Sequence, residues 1–557
     1  MTLLTGTATA ATTNETAGRT KRSSSAGASY RILIADAIVE DGLTPLAQAD
    51  EIELIERTSV DDDELAAALA EADAVIVRSS TTITRRALAG AERLKVIGRA
   101  GVGVDNIDVE AATERGIAVL NAPSGNTISA AELTMALLLS LMRRVPAADR
   151  SMRAGEWDRK RFRGEELRGK ALGLVGAGRI GGEVARRARA FGMQVIAHDP
   201  YLSEERADAL EVDLAELDEL LARADVVSVH VPLTDATAGL IGAERLATMK
   251  EGAYLVNAAR GGVVDEAALV EALESGHLAG AAIDVYAVEP LPEHHPLRRS
   301  ERVVLTPHLG AATVEAQQGV AREIAEAVRD ALLHGDLSRA LNAPAIGGEE
   351  LRRMRPLLDL AERLGRLGSA LADGPIASVE LRYAGGADDG LRPLTASALV
   401  GVLEAIVGRR AVNFVNAPHL AAARDIEVRR VRRGPHGDYG EYLELVLAGR
   451  DGETRVAGAL LAASHPRVVR ILDFHVDIPP HGTLVVLRNR DVPGVIGRVG
   501  TVLGDTGVNI AEYHQARREA GGEALAAITV DGRLDSGTVD ALRRVSEVLE
   551  VRQAQLD

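Results

Sequence analysis

The 557-residue chain contains no cysteine. Disulfides, thiolate metal sites and cysteine nucleophiles are therefore excluded, and the composition fits a reducing compartment such as the cytoplasm. Positive charge is in deficit: 64 Lys and Arg against 81 Asp and Glu leave a formal net charge of -17. That balance argues against nucleic acid or an anionic membrane as the main partner, although a local arginine cluster can still hold a small anion. No long apolar run is present either. The best candidate, Leu133 to Met142, is about half of the ~20 residues that a spanning helix needs. Residues 1–28 lack a continuous apolar core, which argues against a secretory signal. Rich in Thr, Ser, Ala and Gly, they read as a disordered tail, with an organelle transit peptide as the other reading.

What is present describes a multidomain globular protein. The chain is 46% apolar and 26% charged, and at roughly 100–200 residues per domain its length implies three to five domains. Short apolar runs at Arg31–Asp36, Ala74–Arg78 and Leu94–Gly98 alternate with helical patterns such as Asp62 to Ala72. This alternation predicts βαβ units and a parallel sheet. A helix over Ser129–Arg144, apolar around most of its circumference, predicts burial between domains or subunits. A second α/β unit begins at Ala171, with strands at 171–175, 194–198, 226–231, 253–257, 281–285 and 303–306. A helix over Ala312–Leu333 could return to the first unit and make it discontinuous. The expected division is 29–126 with 308–342, then 127–307, 343–480 and 481–557. Turn chemistry near Pro344 and Pro480 marks the last two boundaries as places where domains could pivot. Residues 343–480 mix helices with strands, among them Tyr442–Leu447 and Val468–Val476, and the last segment is βαβ-rich.

Gly176-Ala-Gly178-Arg179-Ile180-Gly181 follows an apolar strand and opens a helix. In that setting the glycines serve a tight turn, close approach of backbone to a pyrophosphate, and packing of helix on strand. Asp199, at the end of the next strand, can accept hydrogen bonds from the adenosine ribose and repel a 2′-phosphate. The pattern predicts a dinucleotide site with NAD preferred over NADP.

Three further segments carry chemistry: Asn257-Ala258-Ala259-Arg260-Gly-Gly, Asp284-Val-Tyr-Ala-Val-Glu289-Pro and Pro307-His308-Leu-Gly310. Arg260, Glu289 and His308 each stand near a strand end, where open α/β sheets bind ligands. Oxidising a 2-hydroxy acid needs a base for the hydroxyl proton, which histidine supplies near neutral pH. It also needs a carboxylate to orient that ring and a planar guanidinium to grip the substrate carboxylate. Together with the glycine motif, these segments resemble the D-2-hydroxyacid dehydrogenase family over about residues 30–342. The resemblance implies His308 as acid/base, Glu289 as its partner and Arg260 as substrate anchor. It implies that Asp284, Gly310 and the backbone near Ala258 and Ala259 flank the nicotinamide. It also implies a discontinuous first domain and a homo-oligomer, dimer or tetramer, built on the long helix.

Arg78-Ser79 ends a strand, Arg99 opens the glycine-rich loop Gly98–Asn106, and Asn126 precedes the long helix. These resemble the branch of the family that acts on a phosphorylated hydroxy acid, which would place Arg78, Ser79, Arg99 and Asn126 in the substrate pocket. Two arginines suit a phosphate, since each gives paired charge-assisted hydrogen bonds. The segment around Trp157, the only tryptophan, resembles an arm that reaches the neighbouring subunit and could carry Arg159 into its site; a solvated basic linker is the alternative. Asp491-Val-Pro-Gly and Gly507-Val-Asn509 are similar to the amino-acid-sensing ACT domain. That similarity implies Asp491 and Asn509 as ligand contacts and L-serine as effector. His465, Arg467 and Arg470 either hold an anion or form an ordinary basic surface. Two other functions share these motifs: a glyoxylate or hydroxypyruvate reductase, against which the C-terminal unit counts, and an NAD-sensing corepressor.

Overall fold

The computed structural model describes residues 30–58, 61–387, 390–434, 436–437, 439–450, 452–462 and 464–557. The expected tail at 1–28 lies outside them. Among the described residues, four sheets follow one another along the chain.

The first comprises β1 (Tyr30–Ile34), β2 (Ile52–Glu56), β3 (Ala74–Val77), β4 (Val96–Arg99) and β5 (Ala118–Asn121), in the order β2-β1-β3-β4-β5. Every pairing is parallel. All four residues of β3 are buried, as expected for a parallel sheet covered on both faces. The second sheet comprises β6 (Ala171–Val175), β7 (Gln194–His198), β8 (Asp213–Leu214), β9 (Val226–Val229), β10 (Ala253–Asn257), β11 (Leu278–Ile283) and β12 (Val303–Leu305). Its order is β12-β11-β10-β9-β6-β7-β8, also wholly parallel. The strand order reverses between β6 and β9, so a crevice opens at the carboxyl ends of those strands.

Two long helices join the sheets. The helix Thr127–Met142 packs against the helix Arg179–Ala190 and across strands β10, β11 and β12 of the second sheet. The helix Val314–His334 returns to the first sheet, where Val320, Ile324 and Val328 share a core with Ile32, Val96 and Leu120. The first unit is therefore discontinuous. The return is fixed by Glu323, a buried carboxylate on that helix. It accepts the backbone N–H groups of Ser124 (3.1 Å) and Gly125 (2.8 Å) and pairs with Arg339 at 2.8 Å. Thr313 caps the helix start and Gly335, at φ 70°, ends it.

The third sheet is mixed: β13 (Ile376–Ala384), β14 (Glu427–Arg432), β15 (Glu441–Gly449), β16 (Gly452–Leu461), β17 (His465–Ile471) and β18 (Phe474–Ile478), ordered β14-β13-β15-β16-β17-β18. The expected single strand Val468–Val476 is thus a hairpin. Leu472 sits at φ 53° in its turn, so no glycine marks the break in an otherwise apolar run. The fourth sheet, β19 (Thr483–Arg490), β20 (Ile510–Arg517), β21 (Glu523–Val530) and β22 (Val548–Gln555), is antiparallel in the order β20-β21-β19-β22.

The packing around Pro480 is not that of a pivot. Leu484, Val486, Leu525 and Leu556 of the fourth unit belong to the same buried cluster as Leu360, Leu364 and Leu447 of the third. Arg363 donates to the Pro480 carbonyl (2.7 Å) and Arg366 to that of Leu556 (2.7 Å) across the junction. A shared core makes the two units one body, because opening it would expose that apolar surface to water. This body docks on the first sheet: Asn413 donates to the Gly116 carbonyl at 2.8 Å and Val415 enters the first unit's core.

Candidate active site

Strand β6 ends in a glycine turn. Gly176 has φ 95°, and a Cβ there would lie 2.7 Å from the His230 carbonyl oxygen. A Cβ on Gly181 would meet the Gly176 oxygen at 2.2 Å, so only glycine lets the helix start this close to the strand. Gly178 is the cap of the Arg179–Ala190 helix, and nothing occupies the space beside it. Open space at a helix start with free N–H groups is what a pyrophosphate needs. Arg179 and Ile180 begin the helix, with Arg179 exposed. Asp199 directly follows β7, and its Oδ2 accepts the Ala177 N–H at 3.0 Å, which brings the carboxylate to the glycine turn. The cradle and the acid together fit a dinucleotide.

The sequence reading missed His230, at the end of β9. Its Nε2 lies 2.9 Å from Ser228 Oγ, and burial pushes its pKa down to about 4. The His230 backbone and Cβ wall the glycine turn. The only sequence signal was its place at a strand end.

The three chemical segments emerge side by side from β10, β11 and β12. His308 Nδ1 is 2.8 Å from Glu289 Oε2, and Glu289 Oε1 accepts the Tyr286 N–H at 3.0 Å. His308 has φ 56°, a left-handed conformation that non-glycine residues rarely adopt. Asp284 imposes it. The backbone oxygen of Asp284 accepts the His308 N–H at 2.9 Å; its carboxylate accepts Thr306 Oγ1 (2.6 Å) and the N–H groups of Leu309 (2.7 Å) and Gly310 (3.0 Å). Burial raises the Asp284 pKa, against the opposing pull of these donors and of His308. Asp284 is fully buried and builds the turn that carries His308. Gly310 is likewise buried beneath that turn.

Asn257 stabilises the preceding loop by accepting the Ala259 N–H (3.1 Å) and donating to the Arg260 carbonyl (3.0 Å). Ala258 and Ala259 are partly exposed beside it. Arg260 reaches across the crevice, where its Nε donates to Asp105 Oδ2 at 3.2 Å in the loop after β4. Arg99 lies nearby. Burial, then repulsion by Arg260 and Arg78, lowers its pKa to about 10. The structure thus brings three guanidinium groups together. Asp36 holds the Arg78 backbone N–H and the Thr81 hydroxyl, and Asn106 ties the Arg78 and Thr81 carbonyls (2.6 Å each) to Arg99 Nε (3.3 Å). Asp36, Asp105 and Asn106 escaped the sequence reading because their partners are distant in the chain. Ser79 is exposed beside Arg78. Asn126 stands at the start of the Thr127–Met142 helix without a side-chain cap bond, its Oδ1 buried and unpartnered. Buried polar atoms of that kind normally find a partner, which a ligand could supply.

The other candidates are not brought together. Arg467 pairs with Asp477 (2.6 Å), and Arg470 with Glu444 (3.4 Å) and Asp473 (3.5 Å), so of the two readings of His465, Arg467 and Arg470 the ordinary, ion-paired surface is the one these contacts fit. Trp157 is 78% exposed, and Met152 nearby is also exposed. Asp491 bonds the Gly521 N–H (3.3 Å) and pairs with Arg517 (3.4 Å), while Asn509 donates to Asp531 (2.9 Å). All eight residues of β21 separate these two ends of the sheet, on the order of 25 Å at ~3.3 Å per residue. Within one chain, Asp491 and Asn509 cannot share a ligand.

The comparisons agree with this geometry. Residues 135–310 match the D-isomer specific 2-hydroxyacid dehydrogenase NAD-binding domain, 353–472 the D-3-phosphoglycerate dehydrogenase intervening domain, and 483–547 the ACT domain. The chain is 41% identical to D-3-phosphoglycerate dehydrogenase of Bacillus subtilis, over 95% of this chain and 100% of that one. It is 43% identical to that of Mycobacterium tuberculosis, over 92% and 96%. A glyoxylate reductase structure from Paecilomyes thermophila superposes with a TM-score of 0.53 at 34% identity, covering 56% of this chain and 98% of that one. Fold and domain content define an NAD-dependent D-2-hydroxyacid dehydrogenase with an ACT regulatory domain. Within that class, the chain belongs to the D-3-phosphoglycerate dehydrogenase family.

Proposed function

We propose that the chain oxidises D-3-phosphoglycerate to 3-phosphohydroxypyruvate, the first step of L-serine biosynthesis. The observations that support this reading are the grouping of Arg78, Arg99 and Arg260, close enough to repel one another, and the His308–Glu289 pair on the segments that follow the neighbouring strands β11 and β12. NAD, held by Gly176, Gly178, Arg179, Ile180, Gly181 and Asp199 with Ala258, Ala259 and the Gly310 turn alongside, supplies the hydride acceptor. Arg260 grips the substrate carboxylate, and Arg78 and Arg99 take the phosphate, with Ser79 and Asn126 completing the pocket. His308 removes the C2 hydroxyl proton through its free Nε2, and Glu289 stabilises the resulting imidazolium. Repulsion among the three guanidinium groups is relieved when a multiply charged anion enters.

The test is turnover of the purified chain on D-3-phosphoglycerate, D-glycerate, D-lactate and glyoxylate with NAD and NADP. Preference for the phosphorylated acid with NAD is expected; equal turnover of D-lactate would favour the reductase reading, and no turnover at all the corepressor.

L-serine as effector and a homo-oligomer belong together in this reading. Asp491 and Asn509 lie at opposite ends of the sheet, so a pocket using both takes Asp491 from one copy and Asn509 from another. The exposed Trp157 and Met152 give a second apolar contact for a partner copy, with Arg159 beside it. The absence of cysteine suits work in the cytoplasm. No helix among the described residues is long and apolar enough to cross a membrane.

A further inference from the structure

Arg260 belongs to the second sheet, but its carboxylate partner comes from the first. Asp105 stands in the loop after β4, 155 residues away in sequence, and meets the Nε edge of the guanidinium at 3.2 Å. Nη1 turns back onto the Ala259 carbonyl at 2.6 Å. The glycine loop closes on the group from the remaining side, since a Cβ on Gly103 would lie 2.1 Å from Nη2. Nε and Nη1 are therefore committed to protein acceptors, while Nη2, packed against the Gly103 backbone, has no hydrogen-bond partner among the described residues.

Fold stability does not account for this pair. The Asp105 side chain is 60% exposed, and exposed ion pairs contribute ~0–1 kcal/mol. Its Oδ1 makes no hydrogen bond among the described residues. Asp105 is also the one carboxylate among them that forms an ion pair with any of Arg78, Arg99 and Arg260.

We propose that Asp105 is a positioning residue with two opposed effects: it aims the Arg260 fork from across the crevice, and its negative charge weakens the hold of the three arginines on an anionic substrate. The first effect favours the reacting geometry, in which a misplacement of about 1 Å can cost ~100-fold in rate. The second limits how tightly the anionic substrate and product are held in the ground state, since tight ground-state binding does not raise turnover. Because the pair joins residues of both sheets, Arg260 is aimed only when the two lobes stand in this relation.

This inference rests on the phosphoglycerate reading, and the two are separable. Wild-type turnover on the substrate panel tests the reading; the ratio of each variant to wild type, on whichever acid is turned over, tests Asp105. Asp105→Asn keeps an acceptor for Nε and removes the charge: KM for the phosphorylated acid should fall about three- to tenfold, by less in high salt, while kcat drops no more than about threefold. Asp105→Glu keeps the charge and displaces it: kcat should fall about tenfold or more with KM little changed. Asp105→Ala should lower both. A KM that rises in Asp105→Asn, or kcat and Tm that fall together in all three variants, overturns the proposal. Three variants indistinguishable from wild type overturn it equally.

Discussion

His308 Nδ1 lies 2.8 Å from Glu289 Oε2, and the other oxygen of that carboxylate is pinned by the Tyr286 N–H at 3.0 Å. The imidazole is thereby fixed with Nδ1 turned inward and Nε2 turned to the crevice. His308→Ala should lower kcat by about 10²–10⁴, the usual worth of a general acid/base. Glu289→Gln keeps a hydrogen-bonding side chain and should lose less. Steady-state turnover on folded variants checks both, and near-normal kcat in His308→Ala would move the base elsewhere.

The turn that presents His308 depends on one buried group. Asp284→Ala would strand the Thr306 hydroxyl and the N–H groups of Leu309 and Gly310, which now bond its carboxylate. At about 1–3 kcal/mol for each buried unsatisfied group, a loss of at least ~2 kcal/mol is expected, together with most of the activity. Denaturant unfolding and turnover measure the two effects. Unchanged stability would mean that the turn is held by other contacts.

Arg78 and Arg99 should discriminate between substrates. Replacing either by alanine is expected to reduce kcat/KM on the phosphorylated acid at least ~100-fold, with a much smaller effect on D-lactate or glyoxylate. The Arg99 pKa of about 10 also has a pH consequence. An anion stabilises the charged guanidinium, so the bound pKa is higher than the free one. Binding is then fully supported below the free value of about 10 and lost as pH rises through the bound value. KM should climb above pH ~10 in the wild type, and this alkaline limb should vanish in Arg99→Ala.

Asp199 should set cofactor choice. Its carboxylate, anchored by the Ala177 N–H at 3.0 Å, would face an NADP 2′-phosphate with like charge. Asp199→Ala should narrow the NAD/NADP ratio of kcat/KM by tenfold or more. A ratio that does not move would place the discriminating acid elsewhere.

For the regulatory unit, a site shared between copies predicts complementation. Asp491→Ala and Asn509→Ala should each abolish L-serine binding in calorimetry. A mixed oligomer of the two variants should regain one intact site per pair, made of Asp491 from one copy and Asn509 from the other. Failure of the mixture to bind, with the wild type binding, would exclude a shared pocket. Within one chain, the shared core across Pro480 and the Asn413–Gly116 contact connect this unit to the first.

The parallel sheets, the dinucleotide turn and the His308, Glu289 and Arg260 trio are all legible in the primary structure. Each is written in local spacing: apolar runs of strand length, glycines where a Cβ would collide, and reactive side chains at strand ends. Tertiary packing decided what depends on residues far apart in the chain. Asp105 and Arg260 are 155 positions apart, and neither has a local pattern that announces the other. Asp284 sits in a motif that marks it as important, but its burial beneath the His308 turn follows from how β11 and β12 pair. Pro480 reads as a hinge because proline and glycine interrupt regular structure there, while whether a hinge can move depends on the apolar area that closes over it. Here that area is continuous from Leu360 and Leu364 to Leu484 and Val486, a matter of packing that no short stretch of sequence encodes.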